Sequence, residues 1–303
     1  MCISRIIGKI HLSQDELDRL LSLGVNYIAK DNPNPHDEEE IINRVDDSEV
    51  IIVNISVKIT KTILQKCNNL RFIQTWSTGV DHIDIEEATK KNIIVKNVPD
   101  FSVEAVAEKT LAMMIFISNK MREANLDAIQ GNWNFLNFQG IELKGKTLVV
   151  VGAGRIGNRV AELATAFGMN VMMINSKTSR QSLHEAFSMA DFITLHCPLT
   201  KETHYLIGET EFKIMKNGVF FINNSRGGVV NEAELLKAIN SGIVAYASVD
   251  VLEQEPPTTL NPLASHPKIF LTPHTTWNTK ESVQRLTTQC IDNLEYYIRN
   301  KAG

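Results

Sequence analysis

Short apolar runs alternate with longer amphipathic segments along almost the whole chain, which predicts an α/β fold built on parallel sheets. The alternation comes in two series, one ending near Asn97 and one running from Leu148 to Leu271. Two domains with a cleft between them are therefore expected. Between the series lies Val103–Gln130, nearly free of helix breakers and longer than most globular helices. A helix of that kind can bridge two domains, and no Gly/Ser linker, low-complexity tract or internal repeat offers another crossing.

In the first series the strand candidates are Ile3–Ile7, Asn26–Ala29, Val50–Val53, Phe72–Thr75 and Ile94–Asn97, with helical patterns between them. One such helix is Gln14–Leu23, with Ser13 standing where an N-cap is wanted. About five β-α units suffice for a small open sheet. The second series opens on an apolar strand at Leu148 and continues through Val171–Ile174. The last segment, Thr279–Arg299, reads as one amphipathic helix with Val283, Leu286, Ile291, Leu294 and Ile298 on one side.

Composition narrows the function classes. Of 303 residues, 43% are hydrophobic and 22% charged, enough for substantial cores. A net charge of −4 offers no electrostatic footprint for nucleic acid or an anionic membrane. No stretch approaches the roughly 18 to 20 apolar residues that span a bilayer. The first 25 residues lack a cationic start followed by an apolar run, so no signal peptide is expected and the protein is read as cytoplasmic. Cys2, Cys67, Cys197 and Cys290 are scattered without a Cys-x-x-Cys pair, which argues against disulfides and thiolate metal sites. The eight histidines are dispersed too, and no metal is expected.

The strongest local signal is Leu148-Val-Val-Val-Gly-Ala-Gly-Arg-Ile-Gly157. A buried strand leads directly into Gly152-x-Gly154-x-x-Gly157, followed by the helical run Asn158–Phe167 and the strand Val171–Ile174. Gly152 permits the tight turn, Gly154 lets backbone approach a pyrophosphate, and Gly157 lets helix and strand pack closely. The helix N-terminus then offers N–H groups and a positive dipole end to phosphate oxygens. With strand, helix and next strand all at fingerprint spacing, the motif predicts a Rossmann-type dinucleotide site.

The tip of the second strand departs from that fingerprint. An acidic residue there accepts from the ribose 2′-hydroxyl and favours NAD. This chain has Asn175-Ser-Lys-Thr-Ser-Arg180 instead. Asn175 does not repel a 2′-phosphate, and Ser176, Lys177 and Arg180 can donate to one and neutralise it. The pattern favours NADP over NAD. A polar surface loop with two incidental cations is the plainer alternative.

Three further segments place polar groups just past strand ends, where open α/β sheets bind ligands. They are Phe220-Phe-Ile-Asn-Asn-Ser-Arg226-Gly-Gly, Ala247-Ser-Val-Asp250-Val-Leu-Glu-Gln-Glu255-Pro-Pro and Leu271-Thr-Pro-His274-Thr-Thr-Trp277. A 2-oxo acid carries a carboxylate and a carbonyl, and the fork of donors on Arg226 can grip either. His274 can protonate the oxygen that gains charge as hydride arrives, and take the proton back in reverse. Glu255 is the candidate partner that fixes the ring and favours imidazolium. Taken singly, each has a plainer reading: a surface ion-pair arginine, a turn histidine after Pro273, and solvated carboxylates at Glu253 and Glu255.

Taken in order, these motifs carry more. Gly152-Ala-Gly-Arg-Ile-Gly157, His196-Cys-Pro-Leu-Thr-Lys-Glu-Thr203, Asn224-Ser-Arg-Gly-Gly, Asp250-Val-Leu-Glu-Gln-Glu255-Pro and Thr272-Pro-His274 together resemble the D-isomer-specific 2-hydroxyacid dehydrogenase family. Upstream, Ser77-Thr-Gly-Val-Asp-His-Ile-Asp84 and Asn97-Val-Pro-Asp-Phe-Ser-Val-Glu-Ala-Val-Ala-Glu108 fit as well, so the resemblance covers about residues 50 to 290. It implies two Rossmann/flavodoxin-like domains: a discontinuous substrate-binding domain over 1–98 and 275–303, and a dinucleotide-binding domain over 99–274. It also implies that Arg226, Glu255 and His274 are catalytic, and that Thr78 and Gly79 hold the substrate carboxylate with backbone N–H groups. By the same resemblance Arg155 and Ile156 lie against the pyrophosphate, Cys197 and Pro198 near the adenosine half, and Asn224 and Asp250 along the nicotinamide side, Asp250 at the carboxamide. A homodimer built through the nucleotide domain and the helix near Val103–Gln130 is implied too.

The chain ends at Gly303, so a C-terminal regulatory domain like that of many phosphoglycerate dehydrogenases is not expected. That favours a short glyoxylate/hydroxypyruvate reductase or glycerate dehydrogenase type. Trp277, as in some of those members, would wall the pocket, although ordinary packing explains it equally. The expected activity is hydride transfer between NAD(P) and a small D-2-hydroxy or 2-oxo acid. A phosphoglycerate dehydrogenase lacking the regulatory domain is one alternative. A dinucleotide-sensing, corepressor-like protein is the rival from another class, because fold alone does not separate it from an enzyme. An NAD-dependent hydrolase with a similar nucleotide domain is disfavoured by the order of the Arg, Glu and His.

Overall fold

A computed structural model describes residues 4–10, 12–27, 34–257 and 259–301. Cys2, together with Ile3 and Ala29 at the ends of two expected strands, lies outside the described residues. The chain forms two compact units, Met1–Ser102 with Asn278–Gly303, and Val103–Trp277.

The first unit contains β1 (Ser4–Ile7), α1 (Gln14–Ser22), β2 (Val25–Tyr27), α2 (Glu38–Val45), β3 (Val50–Val53), α3 (Lys61–Lys66), β4 (Phe72–Thr75), α4 (Ile85–Lys90) and β5 (Ile94–Lys96). Its five strands are parallel in the order β2-β1-β3-β4-β5. β3 and β4 are buried along their whole length, as parallel strands covered on both faces must be. At α1 the capping box is complete, with Glu16 Oε2 accepting from the Ser13 N–H at 2.7 Å and Ser13 Oγ accepting from the Glu16 N–H.

The helix Lys280–Lys301 belongs to this unit. It buries Leu286, Ile291 and Leu294. Its Tyr297 ring stacks on Phe72 with centroids 4.2 Å apart, and Thr287 accepts from the Trp76 indole at 3.4 Å. The last segment of the chain thus completes a core begun by the first hundred residues.

The second unit opens on α5 (Val103–Ser118) and α6 (Met121–Ile129), followed by a 3-10 turn at Phe135–Phe138. It continues through β6 (Thr147–Val151), α7 (Arg155–Ala166), β7 (Asn170–Ile174), α8 (Arg180–Met189), β8 (Phe192–Leu195), α9 (Glu209–Ile214) and β9 (Val219–Asn223). α10 (Glu232–Asn240), β10 (Val244–Val249), α11 (Pro262–Ser265) and β11 (Ile269–Leu271) complete it. Six parallel strands lie in the order β11-β10-β9-β8-β6-β7. In each unit the first strand lies between the second and the third, and such a reversal opens a crevice at the carboxyl ends of the strands. In the second unit the reversal falls between β6 and β8.

The expected single helix over Val103–Gln130 is two helices. Lys120 adopts a left-handed backbone with φ +49°, the Asn119 amide donates to the Ile115 carbonyl at 3.1 Å, and the Ser118 carbonyl accepts from the Ile141 N–H at 3.2 Å. These contacts end α5 and turn the chain before α6. α5 packs Ala107, Leu111, Met114 and Ile117 into the core beneath the sheet, whereas no residue of α6 is buried.

Candidate active site

The glycine turn sits at the reversal between β6 and β8. Gly152 has φ +111°, and a Cβ on it would stand 2.5 Å from the carbonyl carbon of His196, the residue after β8. The His196 N–H donates to the Val151 carbonyl at 2.7 Å, so the two strand ends are drawn backbone to backbone. A Cβ on Gly157 would fall 1.9 Å from the Gly152 carbonyl oxygen, so helix α7 starts as close to the turn as glycine permits. Gly154 is the N-cap of α7, carries no side-chain cap, and its added Cβ would meet nothing within 4 Å. That open side, next to first-turn N–H groups without a side-chain cap, is the cradle a pyrophosphate fills. Arg155 is exposed there, while Ile156 is half-buried against the core. The turn fits a dinucleotide.

At the tip of β7, Asn175 serves its own turn. Its Oδ1 accepts from the Lys177 N–H at 2.8 Å, and its N–H donates to Thr178 Oγ1 at 3.0 Å. Ser176 and Lys177 are exposed. Arg180 is exposed at the start of α8, and its guanidinium is paired with Glu211, a buried carboxylate on α9.

The three candidate catalytic residues are brought together within the second unit. Glu255 Oε2 and His274 Nδ1 are 2.6 Å apart, and Glu255 Oε1 accepts from the Leu252 N–H at 2.8 Å. Burial pushes the Glu255 carboxyl up, but the His274 hydrogen bond and charge, the Leu252 N–H and the nearby Arg226 charge hold it below the usual carboxylate range. Arg226 is half-buried, and its Nη1 donates to the Ser225 carbonyl at 2.8 Å. By contrast, burial pushes the His196 imidazole down to about 3, so the histidine beside the glycine turn stays neutral. Glu253 is engaged apart from this group, accepting from the Tyr205 hydroxyl at 2.8 Å and the Glu232 N–H at 3.0 Å.

Backbone contacts explain the convergence. A Cβ on Gly227 would lie 2.0 Å from the Leu252 carbonyl carbon, so a glycine after Arg226 lets the β9 and β10 loops touch. Asn223 closes the β9 loop, its Oδ1 accepting from the Ser225 N–H at 3.1 Å and its amide donating to the Arg226 carbonyl at 3.1 Å. Glu232 Oε1 accepts from the Glu253 N–H at 2.7 Å and so ties the Glu255 loop to α10. Neither Asn223 nor Glu232 was singled out by sequence. Only the position of Asn223 two residues before a serine, an Asx-turn spacing, gave a signal for it.

Asp250, implied to lie at the carboxamide, is bound on both carboxylate oxygens by the loop that follows β11. Its Oδ1 accepts from Thr272 Oγ1 and from the Thr275 N–H at 2.9 Å. Its Oδ2 accepts from the Thr276 N–H at 2.9 Å and Thr276 Oγ1 at 2.7 Å. Asp250 thereby builds the loop that presents His274, whose own N–H donates to the Asp250 carbonyl at 2.8 Å. His274 takes φ +52° in that loop, a left-handed backbone that costs of order 1–2 kcal/mol and is held by these bonds.

Asn224 is buried, its amide donating to Thr110 Oγ1 on α5 at 3.0 Å. Cys197 is half-buried with its thiol pushed up to about 11 by burial, and Pro198 is exposed. In the first unit, Thr78 Oγ1 donates to the Val98 carbonyl at 2.9 Å and the Thr78 carbonyl accepts from the Asn97 amide at 2.6 Å. The Gly79 carbonyl accepts from Ser77 Oγ at 2.7 Å. Among the described residues the N–H groups of Thr78 and Gly79 meet no protein acceptor.

Comparison with known proteins gives a consistent picture. Residues 111–276 match the family described as D-isomer specific 2-hydroxyacid dehydrogenase, NAD binding domain. A hydroxypyruvate reductase from Blautia hydrogenotrophica is 33% identical over 90% of this chain and 89% of its own length. A D-3-phosphoglycerate dehydrogenase from Methanocaldococcus jannaschii is 35% identical over 87% of this chain but 52% of its own length, so the chain spans about half of that relative. The crystal structure of a D-lactate dehydrogenase from Aquifex aeolicus, complexed with NAD and lactic acid, superposes with a TM-score of 0.86 at 29% identity, covering 98% of this chain and 96% of that one. Among the described residues no helix is long and apolar enough to cross a membrane. With its glycine turn, its paired histidine and glutamate and these relatives, the chain belongs to the D-isomer specific 2-hydroxyacid dehydrogenase family.

Proposed function

We propose that the protein is an oxidoreductase that moves hydride between NAD(P) and C2 of a small D-2-hydroxy or 2-oxo acid, with Arg226, Glu255 and His274 as its catalytic residues. The observation that carries this reading is the 2.6 Å contact between His274 Nδ1 and Glu255 Oε2, with the Arg226 charge acting on the same carboxylate. A nicotinamide ring, when bound, supplies or accepts the hydride. With Nδ1 taken by Glu255, Nε2 of His274 is the nitrogen left to give a proton to the substrate oxygen, or take it in the reverse direction. Glu255 stabilises the protonated ring, and Arg226 holds the carboxylate or carbonyl of the acid. Gly152, Gly154 and Gly157 with the start of α7 would hold the pyrophosphate. The Thr78–Gly79 N–H groups of the first unit, read as the substrate-binding domain, would take the substrate carboxylate.

We take NADPH to be accepted at least as well as NADH, since Asn175 bears no charge and Ser176 and Lys177 are exposed. The size class favoured is that of glyoxylate or hydroxypyruvate; 3-phosphohydroxypyruvate is the second candidate, because phosphoglycerate dehydrogenases are among the relatives. The free thiols of Cys67, Cys197 and Cys290 suit a cytoplasmic setting. The test is oxidation of NADPH and NADH against glyoxylate, hydroxypyruvate, pyruvate, 3-phosphohydroxypyruvate and longer branched 2-oxo acids, run on wild type and Asn175→Asp. Turnover with a short 2-oxo acid, and a shift towards NADH in the variant, are expected. Tight dinucleotide binding without turnover on any acid would favour the sensor instead.

A further inference from the structure

The second-strand tip adjoins a buried carboxylate that the proposed chemistry does not use. Glu211, at the third position of α9, is 2% exposed. Its Oε2 accepts from the Gly208 N–H at 3.1 Å and closes the turn into α9. Its Oε1 faces two basic side chains of α8, the Arg180 guanidinium paired through Nη2 and His184 Nε2 at 3.4 Å. Arg180 opens α8 directly after the cap Ser179, five positions beyond Asn175, in the stretch where this fold meets a ribose 2′ substituent.

Two anions therefore compete for one guanidinium. A carboxylate withdrawn from water is strongly penalised when its partner leaves, whereas a phosphate at the surface keeps water as an alternative. The buried group holds the stronger claim. What is left for a 2′-phosphate is Ser176, Lys177 and the N-terminus of α8.

We propose that Glu211 is a specificity-determining residue for the dinucleotide: by holding Arg180 it withdraws a positive charge from the Asn175–Arg180 turn, so that the turn discriminates little between NAD and NADP. This rests on the dinucleotide reading given above. The 2′-phosphate is isolated by comparing adenosine 2′,5′-bisphosphate with 5′-AMP, each titrated calorimetrically into the whole protein. Glu211→Gln keeps an acceptor for the Gly208 N–H and removes the charge that holds Arg180. It is expected to raise the affinity ratio in favour of the bisphosphate about tenfold, the worth of one charge-assisted hydrogen bond. Arg180→Met is expected to move the wild-type ratio by less than about twofold, yet to erase the gain in the Glu211→Gln background.

An unchanged ratio in Glu211→Gln, a gain that survives Arg180→Met, or a wild-type ratio that collapses in Arg180→Met would each overturn the proposal. The last comparison stands by itself where Glu211→Gln fails to fold. A wild-type protein that binds neither nucleotide would overturn the dinucleotide reading, and the role of Glu211 with it.

Discussion

His274 is held from three sides: its N–H by the Asp250 carbonyl, its Nδ1 by Glu255, and its loop by both oxygens of the Asp250 carboxylate. The ring is thereby fixed in orientation, as the proposed role of general acid requires. His274→Ala is expected to lower kcat by about 10² to 10⁴ while NADPH affinity, measured by fluorescence titration, stays close to wild type. Equal losses in both would place His274 in cofactor binding instead. Glu255 supplies a pH signature. Its folded pKa lies below the ordinary value, so its ionised form contributes stability that is complete above the unfolded pKa and is lost as pH falls through the folded one. The melting-temperature gap between wild type and Glu255→Gln is expected to shrink between about pH 6 and pH 3. A gap that widens on acidification would contradict the pairing.

At the level of elements, the glycines decide what can approach what. An alanine at position 157 would set a methyl carbon 1.9 Å from a backbone oxygen, a clash no side-chain rotation relieves. Gly157→Ala is expected to lower the melting temperature and to abolish dinucleotide binding; unimpaired NADH titration would refute the packing role. Such glycines were legible in the sequence because their spacing alone records a strand, a turn and a helix. Arg226, Glu255 and His274 were legible as residue types at strand ends, and the family resemblance assigned their roles. Their partners were not. Asp250 meets Thr272–Thr276 across more than twenty residues, and Arg180 meets Glu211 across thirty-one, so neither capture leaves a local trace. The break between α5 and α6 was hidden for the same reason, since the Ile141 N–H that takes the Ser118 carbonyl comes from well beyond the helix.

For the whole molecule, the least expected surface is apolar. Ile129 is 74% exposed, Trp133 75%, Phe135 77% and Leu136 81%, all within ten residues on and after α6. A cluster of this kind calls for cover, and the homodimer expected from the family is the reading we adopt for it. Replacing Phe135 and Leu136 together by Asp is expected to convert a dimer into a monomer by light scattering; an unchanged mass would place the contact elsewhere. The glycine turn, Arg226, Glu255 and His274 all belong to Val103–Trp277, and His274 lies three residues from the end of that span. By the proposed assignment, the cofactor cradle and the proton-handling pair would share one folding unit, so that their mutual register would be fixed by a single core.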